Sequence, residues 1–294
     1  MKSWRGIRRQ LVDFIVYLAL PLVSVFVPAA WSRALLARAS NLHWVLGSEA
    51  EAAWSGVTDY VNAGDEQVWK ARWKQVEMLD ARDCYLMSFG RSRSVLNEIE
   101  CDTPLEVVRD TVLIGMHWGP SISILKWLQV AGLSPALPYR RPEKQIFRIR
   151  PFYYIFLSLA ARHIVKTMGE RAVPIGGAGK VLRAMMDQPG SVIVVMDAPL
   201  RKDRPMLKTP VLGKEAIFDA GFPTILADKG KSYVFYALSL QPGGLVRKKL
   251  ELEGPFSSSE AQEFVDKYAG FLERHLASDP AQWRIWHVAG QFWN

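Results

Sequence analysis

The residue best suited to do chemistry in this sequence is His117, in Gly115-Met116-His117-Trp118-Gly119-Pro120-Ser121, directly after the β-branched run TVLIGM (111–116). An imidazole can take up and return a proton near neutral pH. Here it is expected at the carboxyl end of a strand, before a Gly-Pro turn and a helical stretch (121–131), where open α/β sheets bind ligands. A second apolar run, SVIVVM (191–196), leads into Asp197-Ala198-Pro199-Leu200-Arg201-Lys202-Asp203-Arg204. An acid at the end of that strand can face the same cleft as His117. Taken singly, each residue also has a plain structural reading, a partly buried ring in a capping turn for His117 and a turn cap for Asp197.

Cations are the other chemical resource. Pro138-Tyr139-Arg140-Arg141-Pro142, continuing through Lys144, Arg148 and Arg150, carries five cations against one acid, Glu143. Arginine forks bind phosphate or carboxylate in bidentate fashion, so the stretch is a candidate clamp for a phosphorylated substrate or an acidic carrier protein. Lys144 and Arg148 read better as a solvated face. Trp118, Ser121, Tyr139, Arg140, Arg141 and Arg201 are the candidate substrate-binding residues. No GxxxxGK[ST] or GxSxG is present, and Gly176-Gly177-Ala178-Gly179-Lys180 lacks the spacing of a dinucleotide fingerprint. Histidines 43, 117, 163, 275 and 287 show no metal-ligand spacing, so no metal and no other cofactor is expected.

These groups need a scaffold. The β-branched runs, with SYVFYALSL (232–240), alternate with helical stretches and predict an α/β domain with a mostly parallel central sheet flanked by helices. LVRKKLEL (245–252) reads as a polar edge strand. EQVWKARWKQVEMLD (66–80) places Trp69, Trp73, Val76 and Asp80 on one helical face, and AQEFVDKYAGFLERHLA (261–277) predicts a closing helix.

The 294 residues can bury a substantial core without disulfides, and Cys84 and Cys101 alone suggest a reducing compartment. A net charge of +8 favours anionic partners, which include lipid, nucleic acid and acidic proteins. No nucleic-acid recognition module is present, which disfavours that class. Phe14 to Ala30 is a 17-residue run without charge, preceded by Lys2, Arg5, Arg8 and Arg9 and interrupted by Pro21 and Pro28. It predicts a bent N-terminal membrane anchor over residues 1–40, with the α/β domain over 41–294.

Taken in order, the anchor, IGMHWG, YRRP, VVMDAP, TPVLGKEAIF and DPAQWRIWHVAGQFW resemble the bacterial lipid A late-acyltransferase family, part of the wider glycerolipid acyltransferase superfamily. The resemblance covers roughly residues 110 to 293 together with the anchor. It implies a monotopic enzyme on the cytoplasmic face of the bacterial inner membrane. Such an enzyme moves an acyl group from an acyl carrier protein thioester to a hydroxyl of a phosphorylated glycolipid. His117 matches the family's general base. The carboxylate expected five residues later does not match, because Ile122 stands there.

Making the orienting acid of a serine-protease triad an amide costs about 10⁴ in turnover, roughly 5.4 kcal/mol of barrier. A working enzyme therefore needs another orienter, with Asp197 as first candidate and Ser121 and Ser123 behind it. The departure also leaves room for an atypical acyl group, aryl-polyenoic or aminoacyl, and for a hydroxyl or amine acceptor on a lipid or glycolipid. The rival expectation is a non-catalytic module of the same fold that binds lipid or carrier protein. A carboxylate bonded to one His117 nitrogen, with the other nitrogen facing a cleft, separates the two.

Overall fold

The computed structural model describes residues 4–174, 178–198, 200, 204–243 and 247–293. Helices α1 (Trp4–Phe14), α2 (Leu20–Phe26), α3 (Ala29–Ser40), α4 (Gly47–Thr58), α5 (Glu66–Ser88) and α6 (Ser92–Leu96) come first, followed by strand β1 (Ile99–Cys101). Then come β2 (Val112–Gly115), α7 (Ile124–Val130), β3 (Leu137–Tyr139), α8 (Lys144–Ile149), α9 (Pro151–Met168), β4 (Ala172–Pro174), α10 (Ala178–Met186) and β5 (Val192–Val195). The chain continues through β6 (Met206–Val211), β7 (Lys214–Asp219), α11 (Gly221–Lys229), β8 (Tyr233–Leu240), β9 (Lys248–Phe256) and α12 (Ala261–Ser278).

Five strands form the central sheet in the order β1-β9-β8-β2-β5. Every pairing is parallel except β8 with β9, so the architecture is mixed α/β with a mostly parallel sheet. The runs read as strands from their β-branched residues, β2, β5 and β8, lie side by side. β2 and β8 are buried along their whole length, as strands covered on both faces should be.

The expected edge strand is a correction. β9 lies inside the sheet between β1 and β8, and the edges are β1 and β5. The lysines of this run suggested solvent, but Lys248 is fully buried, its ammonium held by Asp83 of α5 and by Glu98. Arg82 bonds the same two acids. Removing one member of such a cluster strands a buried charge at a cost of about 3–5 kcal/mol.

Helix α5 is the spine beside the sheet. Asp65 caps its start by accepting from the Val68 N–H at 2.9 Å. Trp69, Trp73 and Val76 are buried in the core, as their spacing predicts, and so are Asp80 and Asp83.

The N-terminal helices also follow from local chemistry. Pro21 has no N–H, which would orphan the carbonyl four residues back. That carbonyl, on Tyr17, accepts from the Tyr85 hydroxyl at 2.7 Å, and a π-helical turn over Ile15–Ala19 carries the chain past the proline. The bend falls later, at Val27 and Pro28, where Val27 is extended with ψ 159°. Residues Gly6–Phe26 are long and apolar enough to cross a membrane, by length and composition, while 39% of the apolar window is buried within the protein. Val12, Asp13, Val16 and Tyr17 face inward, whereas Ile7, Leu11 and Phe26 face out. Asp13 forms a two-point ion pair with Arg150 at 2.8 and 2.6 Å, tying α1 to the start of α9.

Candidate active site

Strand register brings the two chemical groups together. β2 and β5 pair in parallel with Gly115 opposite Val195, so His117 and Asp197 emerge two residues later from adjacent strand ends. The imidazole Nδ1 lies 2.9 Å from Asp197 Oδ1, and the His117 backbone N–H donates to the same carboxylate at 2.9 and 2.8 Å. Trp283 Nε1 donates to the other oxygen, Oδ2, at 2.6 Å. Asp197 is fully buried, so all of its acceptor capacity is turned on this site.

The loop after β2 is held closely. A Cβ on Gly115 would stand 2.3 Å from the Tyr236 ring, so the absence of a side chain there lets Tyr236 pack beneath the site. Gly119 has φ +55°, and a Cβ on it would meet the Leu238 carbonyl oxygen at 2.0 Å. The C-terminal segment runs alongside: the Gly119 N–H donates to Gln282 O and the Arg284 N–H donates to His117 O, each at 2.9 Å.

His117 opens onto a cavity of about 1030 Å3. One wall is the N-terminal helical segment, through Arg8, Arg9, Val12 and Tyr17. Trp44 and Glu49 face it from the α4 region, Trp73 and Glu77 from α5, Arg150 and Tyr153 from α9, and Arg284 from the C-terminal segment. The cavity matches the upper end of the range for small-molecule sites, about 300–1,000 Å3, and its wall mixes aromatic rings with charges.

With Nδ1 donating to Asp197, the neutral ring carries its lone pair on Nε2, the form a general base requires. Burial disfavours the imidazolium, but the Asp197 charge and its hydrogen bonds outweigh that, and the His117 pKa is raised above the usual histidine value. Arg284 pulls in the opposite direction.

Beside His117 lies a second charged group. The Arg284 guanidinium donates to Glu77 at 2.6 and 3.0 Å and to Asp80 at 2.7 Å. Asp80 Oδ1 accepts the Ile122 backbone N–H at 2.9 Å. Position 122 thus contributes its main chain to an acid from α5.

The other expected residues lie elsewhere. Trp118 is buried, its indole N–H bonded to Ser239 Oγ at 2.9 Å, a packing role in place of the expected substrate contact. Ser121 begins a 3-10 turn and is half-buried, and Tyr139 sits in β3 beside β4. Arg140 is exposed and paired with Glu143, and Arg141 is exposed. None of these five is among the described residues lining the cavity. Arg201 lies outside the described residues. Of the basic run, Arg150 alone lines the cavity, where it is tied to Asp13. Among the described residues no group of three or more His, Cys, Asp or Glu is placed to hold a metal ion.

Sequence reasoning did not single out Glu77, Trp283, Arg284 or the N-terminal wall. The segment holding Trp283 and Arg284 carried part of the resemblance, but no spacing rule connects it to residue 117. Comparison with family models and with curated protein sequences finds no match for the chain.

Proposed function

We propose that this protein is a membrane-associated acyltransferase. It moves an acyl group from a carrier-protein thioester to a hydroxyl or amine of a lipid or glycolipid, with His117 as general base. The observation that carries this reading is the His117–Asp197 pair, with Nδ1 engaged by the buried carboxylate and His117 lining a space large enough for an acyl chain or a headgroup.

In the proposed step, Nε2 takes the acceptor proton as the oxygen or nitrogen attacks the thioester carbonyl. The resulting tetrahedral centre then expels the thiolate as the C–S bond breaks, and the imidazolium returns its proton to the sulfur. Asp197 holds the ring in the required tautomer and steadies the imidazolium, the work that a carboxylate at position 122 performs in the family this sequence resembles.

Association with the bilayer is supported by the apolar Gly6–Phe26 segment and by the outward Ile7, Leu11 and Phe26. On the body, Phe147 and Ile149 of α8 are also exposed, close in sequence to Arg148. In this reading the protein lies on the cytoplasmic face of the bacterial inner membrane, and the cavity wall built from the N-terminal segment meets lipid acceptors there. Arg140 and Arg141, exposed and away from the cavity, suit the acidic carrier protein better than they suit the acceptor.

Ile122 favours a second reading, a module of the same fold that binds lipid or carrier protein without chemistry. Mass analysis of lipid and pigment fractions from cells with the gene, without it, and with His117→Ala separates the two. The proposal expects an acylated species that is absent from both altered strains. A species lost with the gene but kept by His117→Ala contradicts the acyltransfer mechanism.

A further inference from the structure

We propose that Arg284, clamped between Glu77 and Asp80, is a positioning residue for His117: its main chain holds the start of the histidine-bearing loop, its guanidinium holds through Asp80 the end of that loop, and its charge is set on the cavity wall that the imidazole shares. This deepens the acyltransferase reading, although the measurement below does not depend on it.

The clamp is continuous from one end of the loop to the other. At the start, the Arg284 main chain donates to the His117 carbonyl at 2.9 Å. At the end, the Ile122 N–H donates to Asp80 Oδ1 at 2.9 Å, and the other oxygen of that carboxylate accepts from Arg284 Nη1 at 2.7 Å. Glu77 completes it with a two-point bond to the same guanidinium, at 2.6 and 3.0 Å. The fork is therefore fixed in plane and direction, which a lysine could not reproduce. Glu77 and Asp80 are one helical turn apart on α5, so the loop's position is referred to the longest helix described.

The clamp is more than a brace, because Arg284 and Glu77 share the cavity wall with His117. Asp197, buried on one side of the ring, favours the imidazolium, and Arg284 opposes it. The remaining charged or titratable groups of the wall are Arg8 and Arg9 from α1, Tyr17, and Arg150 and Tyr153 from α9. From the α4 side come His43, Glu49 and Glu51, and His287 follows Arg284. Arg150 is engaged by Asp13, Glu49 by Arg150 and Glu51 by Lys70. Arg284 is the cation whose charge registers on His117.

The test reads the ring directly. In the full-length protein, the ring carbon signal of His117, assigned by its loss in His117→Gln, is titrated by NMR in wild type, Arg284→Gln, Arg284→Lys and Asp80→Asn. Removing the cation takes away the charge that opposes the imidazolium, so Arg284→Gln should raise the His117 midpoint by about one pH unit. Asp80→Asn keeps an acceptor for the Ile122 N–H but removes one of the two carboxylates that offset the Arg284 charge, so the cation opposes the imidazolium more strongly and the midpoint should fall. Arg284→Lys keeps the charge and should leave the midpoint near wild type. A structural brace alone predicts no ordered shift: midpoints that coincide in all variants, or a fall in Arg284→Gln, overturn the proposal. If Arg284→Gln does not fold, the sign of the Asp80→Asn shift decides, with no change or a rise counting against the proposal.

Discussion

Asp197 lies 80 residues beyond His117, yet its carboxylate bonds both the imidazole and the backbone N–H of that one residue. Parallel pairing of β2 with β5 enforces this, because Gly115 and Val195 stand opposite each other and each strand ends just before its chemical residue. The orienting acid comes from a neighbouring strand, so Ile122 at the familiar position leaves the ring oriented.

Replacing Asp197 with Asn tests that statement. The amide keeps an acceptor for the His117 main chain but does not supply the negative charge. Turnover should fall by about 10³–10⁴, roughly 4–5.4 kcal/mol of barrier, while the single amide oxygen leaves one buried donor of the Trp283 and His117 set without an acceptor, at a cost of about 1–3 kcal/mol in stability. A variant retaining a tenth or more of wild-type turnover would show that the pair is structural.

The pH profile has a definite sign. A general base works when neutral, and the raised His117 pKa means that the ring stays protonated to higher pH than a free histidine. The acid limb of kcat/KM should therefore lie above 6.5, the ordinary histidine value, with activity rising as pH increases through it. A limb below that value contradicts the Asp197 pairing.

Much of this scaffold was legible in the sequence. β-branched runs identified β2, β5 and β8, helical spacing identified α5 and α12, and the Gly-rich turn after β2 marked His117. Burial of charge was not legible. Lys248 looked like the solvated residue of an edge strand, and its acid partners lie in the α5 region and just before β1. Glu77 and Arg284 are 207 residues apart, beyond any spacing rule. The basic run at 138–150 divides in the fold, Arg140 going to solvent and Arg150 to an interior ion pair, because side-chain charge alone does not determine which residue finds an acid.

The bond between Tyr85 and the Tyr17 carbonyl lets the N-terminal helix pass Pro21. Tyr85→Phe leaves that buried carbonyl unsatisfied and should cost about 1–3 kcal/mol in denaturant unfolding. Protease cleavage within residues 4–26 should rise in parallel. Stability within about 0.3 kcal/mol of wild type, a small fraction of a hydrogen bond, would show that the helix needs no such support.

His163, buried in α9, has its pKa lowered to about 4, chiefly by burial and then by Lys126 and Lys166. Between pH 6.5 and 4 the unfolded chain binds this proton and the folded chain resists it, so stability falls as the pH drops, by about 3 kcal/mol at pH 4. His163→Leu should remove that share of the acid sensitivity. Equal pH dependence of unfolding in the variant and wild type would contradict it.

The central claim is that His117 Nε2 removes the acceptor proton. The direct measurement is release of free carrier thiol from a long-chain acyl carrier protein thioester by the purified full-length protein in nanodiscs of bacterial inner-membrane lipid. Wild type should release thiol with matching acylation of a lipid, and folded His117→Ala should be slower by about 10²–10⁴. Equal rates for the two proteins, with acylated lipid formed in both, would contradict the account.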